Sequence, residues 1–215
     1  MSNLRELTGP SLLCQKKTQS LVVFLHGWGS NGDDLIQIAH HWLNIFPNTS
    51  FYAPNGPEEC DIDPTGRQWF SLNNMSSIDM INGTEKAAKD IINYIDKLAN
   101  HYSLNYEKII LAGFSQGAML SLHLGIIKPF AGILAYSGAL ISDPQSKLEH
   151  NLNVYLIHGA LDDRVSPDNL HLASEKLQKI GANVQSHISP DTGHSIDAKG
   201  LQLGADFIKV RLQII

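Results

Sequence analysis

Short apolar runs alternate along this chain with segments of helical period. Residues 21–25, Leu-Val-Val-Phe-Leu, form a continuous β-rich run followed by glycines, as in a strand buried on both faces. Residues 31–46 read as a helix with Leu35, Ile38, Ala39 and Trp42 on one face, stopped by Pro47. A second strand over 49–53 is closed by Pro54. Ala88, Ile91, Ile95 and Leu98 recur at steps of three and four and predict a helix over 85–100. Strands follow over 108–112, 131–136, 153–158 and 183–188, with a helix over 115–127 between the first two of these. Ser166-Pro167-Asp168 opens another helix, a cap followed by proline, and Gly181 ends it. Leu201, Ala205, Ile208 and Leu212 mark a last helix, and the pieces at 4–7 and 12–15 suggest an edge hairpin. Strands alternating with helices predict a mostly parallel sheet covered on both faces. No linker or repeat divides residues 1–215, so one α/β domain is expected. In such sheets ligands bind beyond the carboxyl ends of the strands.

Composition narrows the class. The 215 residues are 43% hydrophobic and 17% charged, with a net charge of −5. That is a globular balance, far from disorder. No basic cluster pulls the chain toward nucleic acid, and no apolar run approaches the roughly 20 residues of a membrane span. Residues 1–10 lack the apolar centre of a signal peptide, so a cytoplasmic protein is expected. Cys14 and Cys60 stand apart and outside any CxxC, which fits two free thiols and excludes a cysteine zinc site.

The chemistry lies in three places, each just after a predicted strand. Gly113-Phe114-Ser115-Gln116-Gly117 joins a strand to a helix in the G-x-S-x-G pattern of a nucleophile elbow. A serine hydroxyl needs a base. Of ten histidines, His194 lies between the last strand and the last helix, whereas His26 and His158 end strands in His-Gly pairs suited to bracing turns. An acid must orient the imidazole, and Asp162 and Asp163 both follow the strand over 153–158. Their spacing alone does not separate them. An oxyanion needs donors. The backbone N–H of Gln116 is one, and the N–H of Trp28 in Leu25-His26-Gly27-Trp28-Gly29 is the candidate for the second.

These motifs resemble the phospholipase/carboxylesterase group of α/β-hydrolases, which includes the acyl-protein thioesterases. The resemblance runs over residues 22–29, Ala53-Pro-Asn-Gly-Pro57, Arg67-Gln-Trp-Phe70, Gly113-Phe-Ser-Gln-Gly117, His158-Gly-x-x-Asp162-x-x-Val165 and Gly193-His194-Ser195. Bacterial members look closest. The resemblance implies an α/β-hydrolase fold; the short connection from 138 to 153 leaves no room for a large cap domain, and a serine-histidine-aspartate mechanism requires no metal or organic cofactor. The resemblance places the catalytic acid at Asp162, giving a triad of Ser115, Asp162 and His194. Two positions depart from the pattern. Trp28 stands where many members have Leu, and Trp69-Phe70-Ser71 where many thioesterases have Trp-Phe-Asp.

About 30 residues, 55–83, separate the second strand from the next helix. Their apolar members, among them Trp69, Phe70, Met75 and Met80, are expected to wall an acyl site. The expected substrate is a small-molecule or lipid ester or thioester. With no cap between 138 and 153, the site should be open. Ester hydrolysis on small esters or lysophospholipids leads, deacylation of protein cysteines is the alternative, and a non-catalytic binding module is a third reading. Transient contact with a membrane surface and a homodimer are both compatible with the sequence, which fixes no oligomeric state.

Overall fold

The structure, a computed structural model, describes residues 4–74 and 76–214. Among the described residues the strands are β1 (Ser11–Leu12), β2 (Ser20–Leu25), β3 (Thr49–Tyr52), β4 (Glu58–Glu59), β5 (Arg67–Gln68), β6 (Ile109–Phe114), β7 (Gly132–Tyr136), β8 (Asn153–Gly159) and β9 (Asn183–Ser189). The helices are α1 (Gly32–Leu35), α2 (Gln37–Trp42), α3 (Ser77–Tyr102), α4 (Gln116–Ile127), α5 (Asp168–Lys179) and α6 (Ala198–Arg211).

Seven strands form one sheet in the order β1-β3-β2-β6-β7-β8-β9, and β4 and β5 pair apart as a small hairpin. All pairs in the large sheet are parallel except β1 with β3. Alternate residues of each strand point to opposite faces. Leu21, Val23, Leu25, Ile109, Leu111, Ile133 and Ala135 join α3, α4 and α5 in one core. Val22, Phe24, Ile110, Ala112, Leu134 and Tyr136 join α2 and α6 in the other. The doubly apolar strands of the sequence are therefore doubly covered, as expected of a parallel sheet.

The chain winds from β2 outward to β3 on one side, and from β6 through β9 on the other. The direction reverses between β2 and β6, whose carboxyl ends meet at the Leu25–Gly113 pair. This is the topological switch point, where a crevice opens above the sheet.

The structure departs from the sequence reading in three places. The helix expected over 31–46 is broken at Ile36, where the Ala39 N–H bonds back only three residues to the Ile36 carbonyl. Helix α3 begins at Ser77 instead of 85, capped by the Ser76 hydroxyl on the Asp79 N–H. Gly83 within it is a packing glycine and not a stop, since a Cβ there would lie 2.5 Å from the Phe70 ring. The edge hairpin does not form. Ser11–Leu12 pairs with β3, and the segment around Arg5 lies outside any strand, tied to Asp90 of α3.

Candidate active site

Ser115 sits between β6 and α4 with φ 53° and ψ −116°, a backbone conformation that L-residues rarely adopt. Its N–H is held by the Tyr136 carbonyl at 2.9 Å. The tight turn demands its glycines. A Cβ on Gly117 would fall 1.8 Å from the Leu25 carbonyl oxygen, and one on Gly113 2.2 Å from the Gly117 oxygen. This strain lifts the serine hydroxyl to the rim of the sheet, and strain of this kind costs on the order of 1–3 kcal/mol.

His194, five residues past β9, reaches Ser115 Oγ with Nε2 at 3.0 Å and Asp162 Oδ2 with Nδ1 at 2.8 Å. The carboxylate accepts from Nδ1–H, which leaves Nε2 free to accept from the serine hydroxyl. Asp162, three residues past β8, has a fully enclosed side chain. Its other oxygen accepts the N–H groups of Arg164 and Val165 at 3.0 and 2.9 Å. Burial pushes this carboxyl up. The bonds from Val165, His194 and Arg164 and the attraction of His194 outweigh burial and hold it below the ordinary carboxylate range. Asp163 is exposed. His158 adds a second imidazole to the acid, with Nε2 bonded to the Val165 carbonyl at 2.8 Å and 3.2 Å from Asp162 Oδ2. Phe114 lies beside the His194 ring, centroids 4.8 Å apart.

The loop after β2 borders this group. A Cβ built on Gly27 would stand 3.2 Å from Ser115 Cβ, so the loop passes close beside the serine side chain at Gly27. The Gln116 N–H opens α4 and has no helical carbonyl to bond. The Trp28 indole is tied to Gln68, Nε1 to Oε1 at 2.7 Å. His26 braces the loop from below, as its His-Gly context suggested. Its Nε2 accepts the Gly56 N–H and its Nδ1 faces the Gly27 carbonyl, both at 2.8 Å. Burial, opposed by that carbonyl bond, brings its pKa down to about 4 and keeps it neutral.

Sequence reasoning brought Ser115, Asp162, His194, Trp28 and Gln116 to this one edge, and the structure places them there. Trp69 and Phe70 lie differently. Both are buried, Trp69 completely, beneath the site and not along it. Trp69 is held there by its indole N–H on the His26 carbonyl, and Phe70 by Gly83. Met80 is half-buried against the core, and Met75 lies outside the described residues. The Gln116 side chain was missed. It is buried and bonds the backbone of Trp69 and Phe70. Its signal was the Gln within Gly-Phe-Ser-Gln-Gly, a longer match than G-x-S-x-G alone. Among the described residues no group of three His, Cys, Asp or Glu side chains could hold a metal, and no helix is long and apolar enough to cross a membrane.

A nucleophile elbow at the switch point of a parallel sheet, with an imidazole and a carboxylate converging on it, defines an α/β-hydrolase. The family model described as Phospholipase/Carboxylesterase matches residues 13–212, and the chain belongs to that family. It is 26% identical over 196 residues to Esterase YpfH of Escherichia coli K12, covering 90% of this chain and 84% of that protein. It is 28% identical over 216 residues to Acyl-protein thioesterase 1 of Debaryomyces hansenii, covering 90% and 91%. The crystal structure of esterase PE8 superimposes with a TM-score of 0.91 at 36% identity, covering 96% of this chain and all of that one. The activity class is accordingly hydrolysis of the carboxylesterase or thioesterase type, on small-molecule or lipid substrates.

Proposed function

We propose that this chain, acting as one hydrolase domain, cleaves small acyl esters or lysophospholipids through Ser115, His194 and Asp162. The reading rests on the continuous relay from Ser115 Oγ through His194 to Asp162, with links of 3.0 and 2.8 Å. Ser115 attacks the carbonyl carbon while His194 Nε2 takes its proton. Asp162 stabilises the resulting imidazolium, and the N–H groups of Trp28 and Gln116 receive the oxyanion. His194 returns the proton to the leaving alcohol, which departs and leaves an acyl-serine. The same imidazole then activates water, and the acid is released. No residue in these steps calls for a metal or organic cofactor. The two free thiols suit a reducing cytoplasm.

Removal of acyl groups from protein cysteines is the second reading, favoured by the thioesterase relative. It uses the same groups with a thiolate leaving. Replacing Ser115 by alanine should lower kcat on a p-nitrophenyl ester by roughly 10⁴-fold or more and abolish fluorophosphonate labelling. Labelling that survives would place the nucleophile elsewhere. Comparing kcat/KM on short and long esters, a lysophospholipid and a palmitoyl-cysteine peptide separates the two readings.

A further inference from the structure

The two proposed oxyanion donors come from different strand ends, the Trp28 N–H after β2 and the Gln116 N–H after β6. Pairing of β2 with β6 sets their neighbourhood. An oxyanion hole needs positions held to roughly 0.5 Å. A third segment, residues 67–70, touches both sides. On the Trp28 side, Arg67 exchanges backbone bonds with Gly29 and Ser30, at 3.0 and 2.8 Å. Gln68 Oε1 receives the Trp28 indole, and the Trp69 indole N–H donates to the His26 carbonyl at 2.9 Å. That carbonyl belongs to the peptide entering Gly27. The Trp69 ring also stacks on the His26 imidazole, centroids 5.1 Å apart. On the other side, the Gln116 amide meets the same strap. Its Oε1 accepts the Trp69 N–H at 3.1 Å and its Nε2 donates to the Phe70 carbonyl at 2.8 Å.

We propose that Gln116 and Trp69 are positioning residues that couple the two oxyanion donors through the 67–70 strap. Gln116 then acts twice: its backbone faces the oxyanion, and its side chain fixes the strap that holds the opposite donor. The geometry explains the residue type. An amide one methylene shorter falls short of the strap, and a carboxylate lacks the donor for the Phe70 carbonyl. Gln116 and Trp69 are 1% and 0% exposed, so water does not compete for these bonds. The proposal rests on the hydrolase reading above.

The test uses Gln116→Met and Gln116→Glu, which keep bulk but remove specific bonds, and Trp69→Phe, which keeps an aromatic ring but removes the indole N–H and some volume. On an unactivated alkyl ester, kcat should fall roughly 10- to 100-fold while KM stays within about twofold. Affinity for a trifluoromethyl ketone, which forms a hemiketal oxyanion on the serine, should fall by the same factor as kcat/KM. A merely structural role would lower the melting temperature without that parallel loss. The double variant Gln116→Met/Trp69→Phe should lose little more than the worse single one, since both break one linkage. Folded variants that keep kcat and ketone affinity within about twofold would overturn the coupling, as would fully multiplicative losses. If Trp69→Phe does not fold, the Gln116 pair carries the test. Ser115→Ala is run alongside. An active Ser115→Ala protein would sink the assignment of Ser115 as nucleophile, whereas an inactive one beside unimpaired Gln116 variants would sink only the coupling.

Discussion

His26 shows how a single residue can be placed by sequence yet have its role set by burial. With its pKa lowered from 6.5 to about 4, the folded form resists a proton that the unfolded chain accepts. Between those values the unfolded state binds more protons, so stability is full above about pH 6.5 and falls as pH drops toward 4. The loss is of order 3 kcal/mol. Urea unfolding at pH 7 and pH 4.5 should show it, and His26→Asn should flatten the slope in that window. Asp162, with its lowered carboxyl, contributes stability that is lost only below the ordinary carboxylate range, so the two effects separate on the pH axis. Gly117→Ala should prevent correct folding or remove several kcal/mol, because its Cβ has no room beside the Leu25 carbonyl. Soluble yield and thermal unfolding would check this. At this scale the serine and the base were legible in motifs that each follow a strand, while Asp162 was separated from Asp163 only by the family resemblance. The Gln116 side chain was not legible, because its partners are backbone groups 46 and 47 residues away.

Among the elements, the strands were the most readable, since residues buried on both faces leave continuous apolar runs. Helix starts were less so. Periodicity started the helix at 85, and only the contact of Gly83 with Phe70 explains a glycine inside α3. The first turns of α3 gave no buried period to follow, since their apolar Ile78 and Ile81 are exposed. The start of α6 depends on Asp197, whose carboxylate accepts the Gly200 N–H at 2.7 Å. Asp197→Ala should cost about 1 kcal/mol and Asp197→Asn much less, read as shifts in the urea midpoint. Equal losses in both would mean that charge, and not the cap bond, holds this end.

For the whole molecule, alternation of strands and helices predicts a parallel sheet, but it does not give the strand order, which depends on contacts far apart in sequence. The N-terminal segment illustrates this. Arg5 crosses to α3, donating from its backbone N–H and Nε to Asp90 at 2.9 and 2.7 Å. Asp90 is 3% exposed, in the middle of an amphipathic helix, and nothing local marks its partner 85 residues earlier. Arg5→Ala leaves that carboxylate only the backbone N–H, without its counter-charge, and should cost up to about 3–5 kcal/mol, with Asp90→Asn in the same chain recovering part of it. Differential scanning calorimetry of the single and double variants reads the balance.

The strained backbone of Ser115 has a consequence for the history of such a chain. Glycine would occupy that left-handed turn without penalty, so Ser115→Gly should be at least as stable as Ser115→Ala while both are inert. The proposed nucleophile is therefore the position where selection for catalysis and selection for durability oppose each other. A lineage that no longer needed the reaction would gain by losing this side chain first, and the scaffold would outlive its chemistry.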